Sequence, residues 1–148
     1  MIIAVDFDGT IVEHRYPEIG KPIPFAIETL LLLQKEQHQL ILWTVREDEL
    51  LQEAIDYCSE QGLNFYAANA NFPEETSRIP RKINADMFID DRNLGGLPDW
   101  GVIYNAVQAT VSGENSFQTI MSAQETQQEK NRRKKNIFIR IGEALDAK

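Results

Sequence analysis

A chain of 148 residues with 43% hydrophobic and 26% charged side chains is long enough for one domain with a sizeable core and too short for two of ordinary size. Its net charge of −8 excludes a general nucleic-acid binder, because contacts to a phosphate backbone need a basic face. A single cysteine, Cys58, excludes an intramolecular disulfide and a cysteine-rich zinc site.

In chain order, the first apolar run is "IIAVDF", which reads as a strand. An irregular segment, "IVEHRYPEIGKPIP", follows and is too short for a separate domain. The stretch "PFAIETLLLLQKEQ" has helical character, and "QLILWT" is a second strand. Next comes a helix in "EDELLQEAIDYCSEQG", where Leu51, Ile55 and Cys58 share a face and Gly62 is the stop signal. Cys58 is therefore expected in the core and not as a nucleophile. "NFYAAN", "DMFIDD" and "WGVIYN" read as three further strands, the first two separated by the polar, proline-containing loop 68–81. Continuous apolar runs suit strands covered on both faces. The alternation predicts a three-layer α/β/α, Rossmann-like fold with a mostly parallel five-stranded sheet.

Polar residues close these runs: Asp6 and Asp8 the first, Thr44 the second, Asn69 the third, Asp90 and Asp91 the fourth. In an open parallel sheet, ligands gather at the carboxyl ends of the strands. Strand alternation turns Asp6 and Asp8 to one side, where two charges about 5 Å apart repel by roughly 3 kcal/mol at an effective dielectric near 20. A cation between them, or a proton held by one of them, would offset that repulsion.

"DFDGT", the threonine closing "LILWT", and "RKINADMFIDD" resemble, in that order, the four signature motifs of the haloacid dehalogenase superfamily of phosphotransferases. The likeness spans about residues 1 to 105 and is closest to small members without a cap domain. It implies a phosphatase that is a Mg2+-dependent hydrolase of phosphomonoesters, working through an aspartyl-phosphate. Asp6 would be the nucleophile. Asp8 would protonate the leaving group and later take a proton from the attacking water. Metal binding would fall to Asp6, the backbone carbonyl of Asp8, and Asp90, with Asp91 acting mainly through water or a more distant contact. Thr44 would donate its hydroxyl to a phosphoryl oxygen, and Lys82, eight residues before Asp90, would balance the negative charge. Backbone amides at Phe7, Gly9 and around Arg46 would complete a cradle for the phosphoryl oxygens.

Plainer readings stand beside these. "DFDGT" is also a strand ending in an Asp-Gly turn, Thr44 also a helix cap or strand-end hydroxyl, and Asp90 and Asp91 also the opening of a turn. Arg46 and Arg92 lie just past strand ends, where each either contacts substrate phosphate or pairs at the surface. His14 and His38 are expected in solvent, and Trp43 and Trp100 in packing. A receiver domain of signalling proteins also joins acidic residues, Thr and Lys on a parallel sheet, but "NFYAANANF" lacks the aspartate it would need. A catalytically silent binding module keeps the same residues.

Residues 1–110 carry 8 basic against 18 acidic side chains and are assigned to the catalytic domain, whereas residues 111–148 carry 7 against 5 and read as a polar linker and helical tail. In that tail Ile137, Ile141 and Leu145 follow the basic cluster "RRKK", a pattern open to a solvated helix, a partner-binding helix, a homo-oligomer contact or an anionic surface. The expected partner of the domain is a phosphorylated substrate, either a small metabolite or an exposed phosphate on a larger molecule. Charge close to the start and the lack of any long apolar run predict a cytoplasmic protein with no transmembrane segment.

Overall fold

The computed structural model describes residues 1–73, 75 and 83–146. Its elements run β1 (Ile2–Val5), α1 (Ala26–Lys35), β2 (Gln39–Leu42), α2 (Asp48–Glu60), β3 (Ala67–Ala68), β4 (Met87–Ile89), α3 (Trp100–Val111) and α4 (Ser116–Asp146). The four strands form one all-parallel sheet in the order β3-β2-β1-β4. This is an α/β architecture of the Rossmann-like kind. Two compact units divide the chain, residues 1–101 and 102–148.

In the first unit, β1 is a central strand, with Ile3, Ala4 and Val5 all buried. Leu40, Ile41 and Leu42 of β2 are equally buried. Strands hidden on both faces need no alternation, which is why their sequences read as unbroken apolar runs. Parallel neighbours need crossovers, which α1 supplies between β1 and β2 and α2 between β2 and β3. α1 buries Ala26, Ile27, Leu30 and Leu33, a stripe at helical spacing, and packs on β2. α2 buries Ala54 and Cys58. Burial pushes the Cys58 thiol up to about 12, so it is a core residue without nucleophilic character at neutral pH. Gly62, with φ 86°, follows the end of α2, as a left-handed stop requires.

The chain steps outward from β1 to β2 to β3, then returns to the other side of β1 as β4. That reversal puts a topological switch point between β1 and β4, where open parallel sheets leave a crevice beyond the strand ends. Single backbone bonds carry the ladder past the strands: the N–H of Asp6 donates to Ile89 O at 2.9 Å, that of Trp43 to Val5 O at 2.8 Å, and that of Asn69 to Leu42 O at 2.8 Å. Asp6, Trp43 and Asn69 are thereby aligned at one edge.

Two expectations need correction. Among the described residues the sheet has four strands and not five, because "WGVIYN" opens α3. Its buried residues Trp100, Ile103, Ala106 and Val107 recur at intervals of three and four, a helical period that a six-residue window does not reveal. His38, expected in solvent, is buried with its Nδ1 3.3 Å from the Met1 ammonium. Desolvation and that ammonium both lower its pKa.

In the second unit, the chain turns at Gly113, with φ 77°, and enters α4 beyond Asn115, whose side-chain oxygen accepts from the Phe117 N–H at 3.0 Å. An exposed i,i+4 pair, Glu129 with Arg133 at 2.6 Å, lies on this helix and contributes about 0.3–0.5 kcal/mol. Among the described residues, no helix is long and apolar enough to cross a membrane.

Leu30 is fully buried between helix and sheet, so Leu30→Ala is expected to lower unfolding free energy by about 2–5 kcal/mol, read from the urea midpoint at unchanged slope.

Candidate functional site

The turn after β1 is closed by its own backbone. The N–H groups of Ile11 and Val12 donate to Phe7 O at 2.9 and 3.2 Å, and the Gly9 N–H donates to Val12 O at 2.7 Å. Gly9 adopts φ 93°, a region that disfavours side chains. A Cβ there would also lie 2.3 Å from Asp91 Oδ2, so the glycine lets the Asp91 carboxylate approach the turn.

Asp6, Asp90 and Asp91 each offer a carboxylate oxygen, and the three atoms lie within 4.8 Å of one another. Charges at that separation repel by about 3 kcal/mol per pair at an effective dielectric near 20. The Asp6 carboxyl is pushed up to about 7, chiefly by burial. The neighbouring charges of Asp90 and Asp91 add to that effect, against hydrogen bonds from the Phe7 N–H and the Thr10 hydroxyl, which favour the anion. Asp91 Oδ1 is buried with no hydrogen-bond partner. An unpartnered buried oxygen beside two further carboxylates is a donor set suited to a hard, oxygen-preferring cation such as Mg2+.

Asp91 was expected to act at a remove, because adjacent strand residues face opposite ways. β4 ends at Ile89, so alternation no longer applies to Asp90 and Asp91, and both carboxylates join the group. The Asp91 N–H donates to Thr10 Oγ1 at 3.1 Å, and that hydroxyl donates to Asp6 Oδ2 at 3.3 Å. Thr10 thus ties the two strand ends together. It is fully buried, and sequence reasoning passed over it although it closes "DFDGT".

Asp8 faces another way. Its two oxygens accept from Arg46, Oδ2 from Nε and Oδ1 from Nη2, both at 2.7 Å, in a bidentate pair. Arg46 is fully buried. It also donates to the carbonyls of Pro17 at 2.9 Å and Glu18 at 3.0 Å, and its guanidinium lies 5.0 Å from the Phe7 ring centroid and 5.4 Å from that of Tyr16. This corrects Arg46 as a phosphate ligand or a surface residue: a buried cation needs a buried partner, and Asp8 is that partner. The hydrogen bond to Asp8 raises the Arg46 pKa further. The Asp8 carbonyl oxygen, expected on a metal, lies 3.4 Å from His14 Nδ1.

The amide cradle is also corrected. The Gly9 N–H is engaged by Val12 O, and the Arg46 N–H donates to Thr44 Oγ1 at 3.3 Å. That contact leaves the Thr44 hydroxyl proton available for an acceptor in the cleft. Asn69, in the left-handed region at φ 50°, fixes this loop from both ends. Its Oδ1 accepts from the Thr44 N–H at 2.9 Å and its Nδ2 donates to Arg46 O at 3.1 Å. Only its place at a strand end hinted at this role. Lys82 lies outside the described residues.

Asp6, Asp8 and Asp90 line an open cleft of about 380 Å³, with Thr44, Trp43 and Arg92 among its walls. Trp43 packs edge-on against Phe88, with ring centroids 5.0 Å apart. The site combines a carboxylate triad, a hydroxyl donor and a fourth, arginine-held carboxylate.

Two measurements check this geometry. Gly9→Ala is expected to displace Asp91 and weaken Mg2+ binding by tenfold or more, roughly 1.4 kcal/mol, in isothermal titration calorimetry. A proton competes with the metal for Asp6, so apparent Mg2+ affinity is expected to be level above about pH 7 and to fall by up to about tenfold per pH unit below it.

No family model matches the chain, and no curated protein matches it. Among solved structures, a conserved protein from Bacteroides thetaiotaomicron is similar, with 65% identity and a TM-score of 0.72 over 74% of this chain and 91% of its own. At that identity and coverage, the chain belongs to the family of this conserved Bacteroides thetaiotaomicron protein.

Proposed function

We propose that the chain is a capless phosphomonoester hydrolase of the haloacid dehalogenase type. The observation that carries this reading is the convergence of Asp6, Asp90 and Asp91 within 4.8 Å at the β1/β4 switch point. Thr44 and Asp8 border the same cleft. The motif order noted in the sequence supports the same conclusion.

Asp6, Asp90 and Asp91 would hold Mg2+, which when bound neutralises charge on the phosphoryl oxygens. Asp6 Oδ attacks phosphorus as the bond to the leaving oxygen breaks, forming an acyl phosphate. Asp8, once it has taken up a proton against its pairing with Arg46, would give that proton to the departing alkoxide, and Thr44 would donate its hydroxyl to a non-bridging oxygen. Water then attacks the phosphorus, gives a proton to Asp8, and the bond to Asp6 breaks to release inorganic phosphate. Protons and charges return to their starting places. The open cleft suits a small phosphorylated metabolite or a phosphate exposed on a larger molecule.

The test is hydrolysis of 4-nitrophenyl phosphate with and without Mg2+. Turnover is expected to require the metal, and Asp6→Asn to lower kcat by about three orders of magnitude or more. Metal-dependent turnover that survives in Asp6→Asn would reject the nucleophile. Mg2+ binding without turnover on any phosphate ester would favour the silent binding module.

A further inference from the structure

The cleft reaches from the end of β2 to the end of β4, because those two strands flank β1 in the sheet. On the β2 side it is bounded by Trp43 and by Val45, which is 71% exposed. On the β4 side it is bounded by Arg92. Its volume of about 380 Å³ lies in the range of small-molecule sites and leaves room beyond a phosphoryl group for what that group is attached to. The Arg92 N–H donates to Asp90 Oδ1 at 2.8 Å, which ties the root of its side chain to the metal-binding group. Among the described residues, its exposed guanidinium has no hydrogen-bond or ion-pair partner.

The acids nearby are committed elsewhere. Asp90 and Asp91 converge on Asp6, Asp8 is held by Arg46, and Glu47 has a partner of its own. A planar fork of five donors with no acceptor in the protein is complementary to a carboxylate or phosphate that a ligand brings. We propose that Arg92 is the specificity-determining residue of this cleft and that its preferred substrate is a phosphomonoester whose leaving group carries a second anion, a carboxylate or a further phosphate. This deepens the hydrolase reading and rests on it for the placement of the phosphoryl group. With that group beside Asp6, the leaving group extends between the apolar wall of Trp43 and Val45 and the Arg92 fork. An aromatic or other apolar spacer suits the wall, and an anion at its far end suits the fork.

The charge of the cleft gives the arginine its discriminating power. Asp6, Asp8, Glu47 and Asp90 all line it, so an anion on the leaving group is repelled unless a cation meets it. Arg92 reverses that order for an anion on the β4 side, and more strongly at low salt, since the residue is exposed. It touches the second anion of the substrate and no reacting atom.

The experiment titrates wild type, Arg92→Gln and Arg92→Lys with benzylphosphonates, which have no ester bond to cleave, in isothermal titration calorimetry with Mg2+ present. The compounds carry a carboxylate, a second phosphonate or a neutral carboxamide at the meta or para ring position. Wild type is expected to bind at least one of the two anion-bearing compounds about tenfold more tightly than the carboxamide, and Arg92→Gln to cut that preference to less than about twofold. Arg92→Lys, which keeps the charge and loses the fork, is expected to fall between them. Which anion is preferred, carboxylate or phosphonate, identifies the second group. No preference in wild type, a preference kept in Arg92→Gln, an equal loss on all three compounds, or no binding of any of them would overturn the proposal. Turnover of the matching phenyl phosphates is measured alongside. A preference lost in Arg92→Gln with no turnover of any ester removes the hydrolase and leaves Arg92 as the residue that selects the ligand, whereas Mg2+-dependent turnover without the preference removes only the role of Arg92.

Discussion

Four carboxylates converge where β1 and β4 end, and the rest of the site is organised by how their charge is compensated. Asp8 is neutralised by Arg46 inside the protein. Among the described residues, no ion pair reaches Asp6, Asp90 or Asp91. Burial and mutual repulsion leave Asp6 holding its proton up to about pH 7, which is one way of lowering the charge of the group. A divalent cation is the other, and it does so without removing the carboxylate that a phosphoryl transfer would need.

The sheet order makes this crowding possible. Because β4 lies next to β1 and not beyond β3, residues far apart in sequence are brought to one edge. The parallel register Val5↔Ile89 sets the last strand residues level, and the carboxylates follow at once. A buried hydroxyl then holds the two ends in place, since Thr10 contacts both the Asp6 side chain and the Asp91 backbone. On the other side, Asn69 performs the same service for the loop carrying Thr44 and Arg46. Backbone and small polar side chains, and not the acidic residues themselves, determine the geometry of the site.

Much of this was legible from pattern. Apolar runs with polar ends located β1, β2 and β4 and pointed to a shared edge. The face formed by Leu51, Ile55 and Cys58 was visible, and Cys58 is buried. Where pattern misled, the cause is physical. "WGVIYN" contains strand-favouring residues, but its burial repeats at helical spacing over a longer window than the run itself. "NFYAAN" shrinks to a strand of two residues, Ala67–Ala68, because pairing with β2 extends no further. Gly9 offered an amide in sequence terms, but closing its own turn engages that N–H.

From the sequence alone came the chemistry available: which carboxylates, hydroxyls and cations the chain possesses, and at which strand ends they fall. Alternation, turn signals and composition are local properties, and local properties can be read from neighbours in the chain. Tertiary structure alone decided the partnerships. Asp8 and Arg46 are 38 residues apart, and Thr10 and the Asp91 amide 81 apart. No local rule assigns Asp8 to an arginine and Asp6 to an acidic cluster, because that choice depends on which strands become neighbours and which way each side chain leaves the end of its strand.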